Sequence, residues 1–355
     1  MEKKLNILLL AGSGALNLKV VYCLNAIDNI KVHICSSTPD NLVKFSRYKD
    51  HLFHLPWLEK PESCSEDIKQ YCIDNNIKVI IPGDVNATAF LFEHQSNFPA
   101  AIFPCCSKDM LDQLDNKWRF AETLVNNHIR TPKTLLLNNK QAVKSITDNI
   151  SFPIMVKPIY GESWHGVLLM ESPRELMQHL ESNSQYAQLP LIVQEYIPGI
   201  DIDLSFIAKE GQILISDVQR WLNEDELSFE ANAEVSQLSK DIVSAFNYSG
   251  VGHFDMRLST TDNRVYVIEC NPRFWFSITA AMAQGLNFVE QGINYTLGKP
   301  FLSSGAKGCY LLPKKQLKKL LSGQSKLSQL SHAQRHSLTA TLFDPLPHLV
   351  DLWRK

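Results

Sequence analysis

The hydrophobic pattern changes period along the chain, and each change marks an element. Asn6–Ala11 is an unbroken apolar run of strand length; Lys31–Cys35 and Lys78–Ile81 repeat the type. His51–Leu55 and Ala100–Phe103 read as shorter strands. Between them, apolar positions recur three and four residues apart through Ala15–Ile27 and Glu62–Asn75, the period of a helix with one buried face. Continuous apolar strands alternating with helices predict a parallel, doubly wound α/β sheet over residues 1–112. Beyond it the pattern predicts a helix from Asp115, its N-cap, to His128, with Lys117 in the first turn. Strands follow at Phe152–Pro158, Val167–Met170 and Leu191–Tyr196, and a capping box, Ser172 to Glu175, opens a helix that runs to Leu180. Ile200–Ala208 and Gln212–Gln219 form a hairpin around Lys209-Glu210-Gly211. Trp221–Ser228 is polar and reads as a flexible loop, and Glu230–Tyr248 as a helix ending at Gly250.

The most informative stretch is Val251–Phe276, two strands (Gly252–Leu258 and Arg264–Asn271) joined by a polar turn. Period-two alternation puts Val265, Val267, Glu269 and Asn271 on one face, and His253, Asp255 and Arg257 on one face of the partner. A five-residue turn, Ser259–Asn263, sets Leu258 opposite Arg264, Asp255 opposite Val267 and His253 opposite Glu269. Two carboxylates and an amide then converge, Pro272 stops the ladder, and Arg273 lies just past it. Hard oxygen donors of this kind suit Mg²⁺. His253 is expected to be a hydrogen-bonded structural histidine, Arg257 to pair with an acid, and Trp275 and Phe276 to line a core or pocket.

Composition adds exclusions. The chain has 355 residues, enough for two or three domains, and a net charge of −2 with mixed signs, which argues for neither nucleic acid nor a membrane surface as partner. Eight scattered cysteines without a CxxC pair predict reduced thiols and a cytoplasmic location. The apolar start is too short for a secretory leader and reads as the first strand; no apolar run approaches the ~20 residues of a membrane span.

Three further features concern anions. Lys117 at a helix start opposes the macrodipole unless an anion sits nearby. Lys157 is the one charge in an apolar strand and must find an anion or lose its charge. Gly161-Glu-Ser-Trp-His-Gly166 is a loop whose backbone N–H groups can approach phosphate. The earlier Gly12-Ser13-Gly14 turn is a weak dinucleotide signal and reads as a tight strand–helix turn; Ser13 and Asp84 stand at strand ends, where open α/β sheets bind ligands.

Taken in order, D-N-K-W-R-F at 115–120, I-R-T-P at 129–132, P-I-M-V-K-P at 153–158, V-Q-E-Y-I-P-G-I-D at 193–201, G-H-F-D-M-R at 252–257 and I-E-C-N-P-R-F at 268–274 make the chain resemble the ATP-grasp superfamily, in particular its carboxylate–amine ligases and carbamoyl-phosphate-synthase-like branch. The likeness covers Leu111 to Gly298. It implies an ATP-grasp fold at 113–300, with a small lid subdomain at about 131–196 and a larger antiparallel-sheet subdomain. It also implies Lys117 and Lys157 on the phosphates of ATP, with Ser163 and Gly166 in the phosphate loop. Gln194, Glu195, Tyr196 and Ile197 would meet adenine and Asp201 the ribose. Asp255, Glu269 and Asn271 would hold Mg²⁺, with Mn²⁺ as a substitute, and Arg273 would act with Lys157 on the transferring group. The expected partners are ATP, a small carboxylate, an amine and, in a homodimer, a second copy of the chain. A small-molecule kinase on the same fold and a non-catalytic nucleotide-binding protein are the alternatives. The chain departs from the family at Ser163, where a glycine is common, and at Trp164, where serine is usual. Residues 301–355 read as a C-terminal extension. It comprises a strand at Gly308–Leu312, a basic amphipathic helix at Lys314–Leu321, and a tail, Asp344–Lys355, docked through Leu349, Leu352 and Trp353.

Overall fold

A computed structural model describes residues 4–12, 14–161, 165–182 and 184–354. The first sheet comprises β1 (Leu5–Ala11), β2 (Ile30–Ser36), β3 (His51–His54), β4 (Val79–Pro82) and β5 (Ala101–Ile102), in the order β3-β2-β1-β4-β5. Every pairing is parallel. Helices α1 (Leu16–Asn25), α2 (Pro61–Asp74) and α3 (Val85–His94) connect the strands. The unbroken apolar runs serve two faces: Ile7, Leu9, Val32 and Ile81 enter one core, Leu8, Leu10 and Ile80 another.

Two short helices follow, α4 (Lys108–Asp115) and α5 (Lys117–Asn126). Asp115 ends α4 and is not the cap of α5. Asn116 fills that role, its side chain accepting from the Arg119 N–H at 3.1 Å. The second sheet is antiparallel. It contains β6 (Thr134–Leu137), β7 (Ile154–Pro158), β8 (Leu168–Met170) and β9 (Leu191–Glu195), ordered β6-β9-β7-β8, with α6 (Val143–Asn149) and α7 (Pro173–Glu181). Its own core holds Leu137, Ile154, Val156, Leu176, Leu180 and Val193. Met155 and Lys157, at the alternate positions of β7, face away from that core into a cavity.

The third sheet is antiparallel throughout and has six strands: β10 (Gly199–Lys209), β11 (Gln212–Asn223), β12 (Glu226–Phe229), β13 (Gly250–Ser259), β14 (Val265–Asn271) and β15 (Gly308–Leu311). Their order is β14-β13-β10-β11-β12-β15. The stretch Trp221–Ser228 is not a flexible loop: it forms the end of β11 and most of β12, with Trp221 opposite Leu227. Leu227 and Phe229 are buried and draw this otherwise polar segment into the sheet. Helix α8 (Ala233–Ala245) packs on β10 and β11, and α9 (Ile278–Ala283) and α10 (Phe288–Thr296) follow β14.

The last elements are α11 (Pro313–Leu321), α12 (His332–Leu342) and α13 (Pro345–Arg354). The tail docks, but not through the anchors expected of it: Leu349, Leu352 and Trp353 are 58%, 69% and 88% exposed. Its hold is polar. Asp344 is buried and accepts from the Ser46 hydroxyl at 2.7 Å and the Arg47 N–H at 2.9 Å. Among the described residues no helix is long and apolar enough to cross a membrane.

Candidate active site

The hairpin β13–β14 sets the geometry, in a register that differs from the expected one by one residue at Leu258, which faces Val265, and by two at Asp255 and His253. Asp255 stands opposite Glu269, and His253 opposite Asn271. The expected pairings of Asp255 with Val267 and His253 with Glu269 assumed a regular ladder. A β-bulge between Asp255 and Met256 breaks it, leaving Ile268 as the extra residue of β14. The bulge also changes the face. Val265 and Val267 point into the core beside Met256, whereas Ile268, Glu269 and Asn271 line the cavity on the other side. Glu269 and Asn271 therefore do not share a face with Val265 and Val267 as strict alternation required.

Three rows of side chains then cross the third sheet on its cavity face. Arg257 is opposite Asp201. Glu269, Asp255, Asp203 and Gln219 form a second row across β14, β13, β10 and β11. Asn271, His253 and Ser205 form a third. Facing these rows is the second sheet, and the cavity of about 360 Å³ between them takes in both lysines: Lys117 from the start of α5 and Lys157 from β7.

The charges are tightly arranged. Lys117 Nζ lies 3.6 Å from Glu269 and donates to the Gly161 carbonyl at 2.9 Å. Lys157, 5% exposed, donates to Gln194 Oε1 at 3.0 Å, and the Gln194 amide donates in turn to the Thr134 hydroxyl at 3.0 Å. Burial lowers the Lys157 pKa, offset in part by the charge of Glu269. Burial and the charge of Asp255 raise that of Glu269 against the pull of the two lysines. Burial alone would raise Asp255, but its hydrogen bond to His253 and the histidine charge bring it below the usual carboxylate range. His253 is raised: burial opposes its charge, and the hydrogen bond to Asp255 with the charges of Asp255 and Asp203 outweighs that. Its Nε2 is 3.1 Å from Asp255, its Nδ1 2.9 Å from the Ser205 hydroxyl, and its ring stacks on Trp275 at 5.7 Å. Burial pushes Asp203 up to about 7.

Most of the residues singled out from sequence come together here. Lys117, Lys157, Gln194, Glu195, Tyr196, Ile197, Asp201, Asp255, Glu269, Asn271 and Arg273 all line the cavity. Gly166 does not; its φ of +76° and the Tyr186 ring, 2.5 Å from where a Cβ would lie, account for the glycine. Ser163 and Trp164 lie outside the described residues, as does Ser13. Asp84 caps α3 instead, accepting from the Ala87 N–H at 2.9 Å. Asp201 carries a partner not foreseen for it: Arg257 donates to it at 2.7 Å and to the Gly199 carbonyl at 3.0 Å, over the Tyr196 ring. Among the lining residues given no role from sequence are Asp203, Ile268 and Ser277. Asp203 lies two residues from Asp201 on the same face of β10, and the cross-strand register puts it beside Asp255.

Comparison with known proteins defines the class. Residues 114–277 match the ATP-grasp domain family, so this part of the chain is an ATP-grasp domain. It is 21% identical over 305 residues to the carbamoyl phosphate synthase large chain of Methanosphaerula palustris, an alignment that takes in 79% of this chain and 28% of that one. The chain spans well under two thirds of the length of the curated relatives it matches, from 12% to 45% in three of them. In fold it is similar to carboxyaminoimidazole ribonucleotide synthase from Aspergillus clavatus, complexed with ATP (TM-score 0.67, 15% identity, 98% of this chain and 99% of that one). It is also similar to the biotin carboxylase domain of Hydrogenobacter thermophilus 2-oxoglutarate carboxylase, a dimer in complex with MgADP, ADP and bicarbonate (TM-score 0.64, 16% identity, 87% and 74%).

Proposed function

We propose that the chain is an ATP-dependent ligase that activates a carboxylate as an acyl phosphate and joins it to an amine, releasing ADP and phosphate. The observation that carries this reading is the cross-strand pair Asp255–Glu269, faced by Lys117 and Lys157 inside one cavity. Phosphoryl transfer asks for positioning and charge neutralisation, and these residues supply both signs at short range. The two carboxylates and the Asn271 amide are the donor set of a hard divalent cation, Mg²⁺ or Mn²⁺. Held there, such an ion would supply charge neutralisation for the phosphates. Lys117 and Lys157 hold the phosphates, the 194–197 segment the base, and Asp201 the ribose once Arg257 yields or shares it. Ile268, brought into the cavity by the bulge, gives the base an apolar wall. Arg273 steadies the transferring group. A lid at about 131–196 closes over the site and keeps water from the acyl phosphate.

The atoms balance simply. A carboxylate oxygen attacks the γ-phosphorus and ADP leaves; the amine then attacks the acyl carbon, phosphate leaves, and the nitrogen sheds its proton. Purified protein with Mg-ATP and a panel of carboxylates, each with hydroxylamine as acceptor, should give carboxylate-dependent ADP and a hydroxamate. Glu269→Ala should lower turnover by about 10²–10³-fold, the scale of losing a preorganised charge-stabilising group. A phosphorylated product inert to hydroxylamine would assign a kinase instead. Neither ADP release nor a thermal shift with Mg-ATP would sink the reading.

A further inference from the structure

The row that carries the Asp255–Glu269 pair does not end there. Its next member is Asp203, opposite Asp255 on β10 and 6% exposed, followed by Gln219 on β11. The three acids are not served alike. Glu269 has Lys117 at 3.6 Å, and Asp255 has His253 at 3.1 Å. Asp203 has only the shared His253, at 3.9 Å, and a long hydrogen bond from the Gln219 amide at 3.4 Å. Gln219 is itself held, its Oε1 accepting from the Ser277 hydroxyl at 3.0 Å. No lysine or arginine pairs with Asp203 among the described residues, yet it lines the cavity. A buried carboxylate left in this condition is stabilised by an incoming cation.

The surroundings say which kind of cation. At Asp203's end of the cavity stand Trp275, stacked on His253, and Phe276, next to the Ser277 that holds Gln219, so this end is aromatic, whereas Mg²⁺ seeks oxygen and retains water. Ring faces attract organic cations. Trp275 is 3% exposed, and its indole N–H has no partner among the described residues, which leaves a donor for an oxygen of the same ligand. We propose that this end of the cavity is the amine subsite, where Asp203 and Gln219 receive the substrate as an ammonium against an aromatic wall and Trp275 binds an oxygen-bearing group beside it. The substrate class is thus a protonated amine carrying a nearby carbonyl or carboxylate, larger than ammonia. This rests on the ligase reading and adds the polarity of its second substrate.

The test separates the two. Tryptophan fluorescence first follows Mg-ADP binding to the full chain; no binding would count against the ligase reading itself. With Mg-ADP bound, alaninamide, a cation at neutral pH, is titrated against lactamide, its neutral hydroxyl counterpart. Alaninamide should bind at least tenfold tighter, and Asp203→Asn should remove that preference. Equal affinity for the two probes, binding of neither, or an unchanged preference in Asp203→Asn each overturns the proposal. So does a rise in the Mg²⁺ half-saturation of Asp203→Asn with alaninamide affinity unchanged, which would make Asp203 a metal ligand. The comparison of the two probes on the unsubstituted protein holds even if the variant does not fold.

Discussion

Lys157 is the residue on which the site's electrostatics turn. It is one charge in an apolar strand, 5% exposed, with Gln194 Oε1 as its hydrogen-bond acceptor. An ammonium in such a place is held at a cost that a phosphate would offset. Lys157→Met keeps the length and apolar stem while removing the charge. The proposed ATP role predicts a tenfold to hundredfold loss of ATP affinity, matching the ~1.5–3 kcal/mol of a charged hydrogen bond. The unliganded protein should melt within a few degrees of the parent, because the variant also removes a buried charge. Isothermal titration with ATP and a melt without it read the two quantities. Unchanged ATP affinity would remove Lys157 from the phosphate site. This residue was legible in the sequence because one strand's alternation exposes it. Asp203 was not, since its meaning depends on which acid of another strand it faces.

At the scale of elements, the strands and helices named from the sequence lie close to those observed, because continuous apolar runs and period-two hairpins rarely have a second interpretation; β6, α3, α4, α6, α9, α10 and α12 were not named. β14 shows where that stops. Its residues were assigned to the right strand, but the bulge at Ile268 shifts the register and reverses the face of Glu269 relative to Val267. Nothing in V-Y-V-I-E-C-N distinguishes a bulged ladder from a regular one. β12 was missed for the opposite reason: two apolar residues in a polar segment suffice when a neighbouring edge is there to pair with. The register that aligns the acids depends on close approach of β10 and β13. Gly252 permits it, since a Cβ there would lie 2.3 Å from the Phe206 ring, itself fully buried. Gly252→Ala should destabilise by about 1–3 kcal/mol, the cost of overpacking a core. Denaturant unfolding measures it, and a neutral result would mean the ring can move aside.

For the whole molecule, the cores decide what moves with what. One cluster joins the first and third sheets: Ile7 and Leu9 of β1, Ile207 of β10, Ile215 of β11 and Phe288 of α10 belong to it. The second sheet is packed separately around Leu137, Val156, Leu176 and Val193. The lid proposed above needs this division, because a shared core would bind its motion to that of the body. Truncation should therefore act differently on the two. Leu176→Ala, at a fully buried position, should cost about 2–5 kcal/mol. Faster amide exchange should stay within β6–β9, α6 and α7. Phe288→Ala, also fully buried, should cost about 3–5 kcal/mol and speed exchange in β1 and β10 together. Hydrogen–deuterium exchange resolved by peptide distinguishes these patterns. If Leu176→Ala instead loosens β1 as much as β7, the second sheet is not an independent unit, and the proposed lid is not a separately moving subdomain.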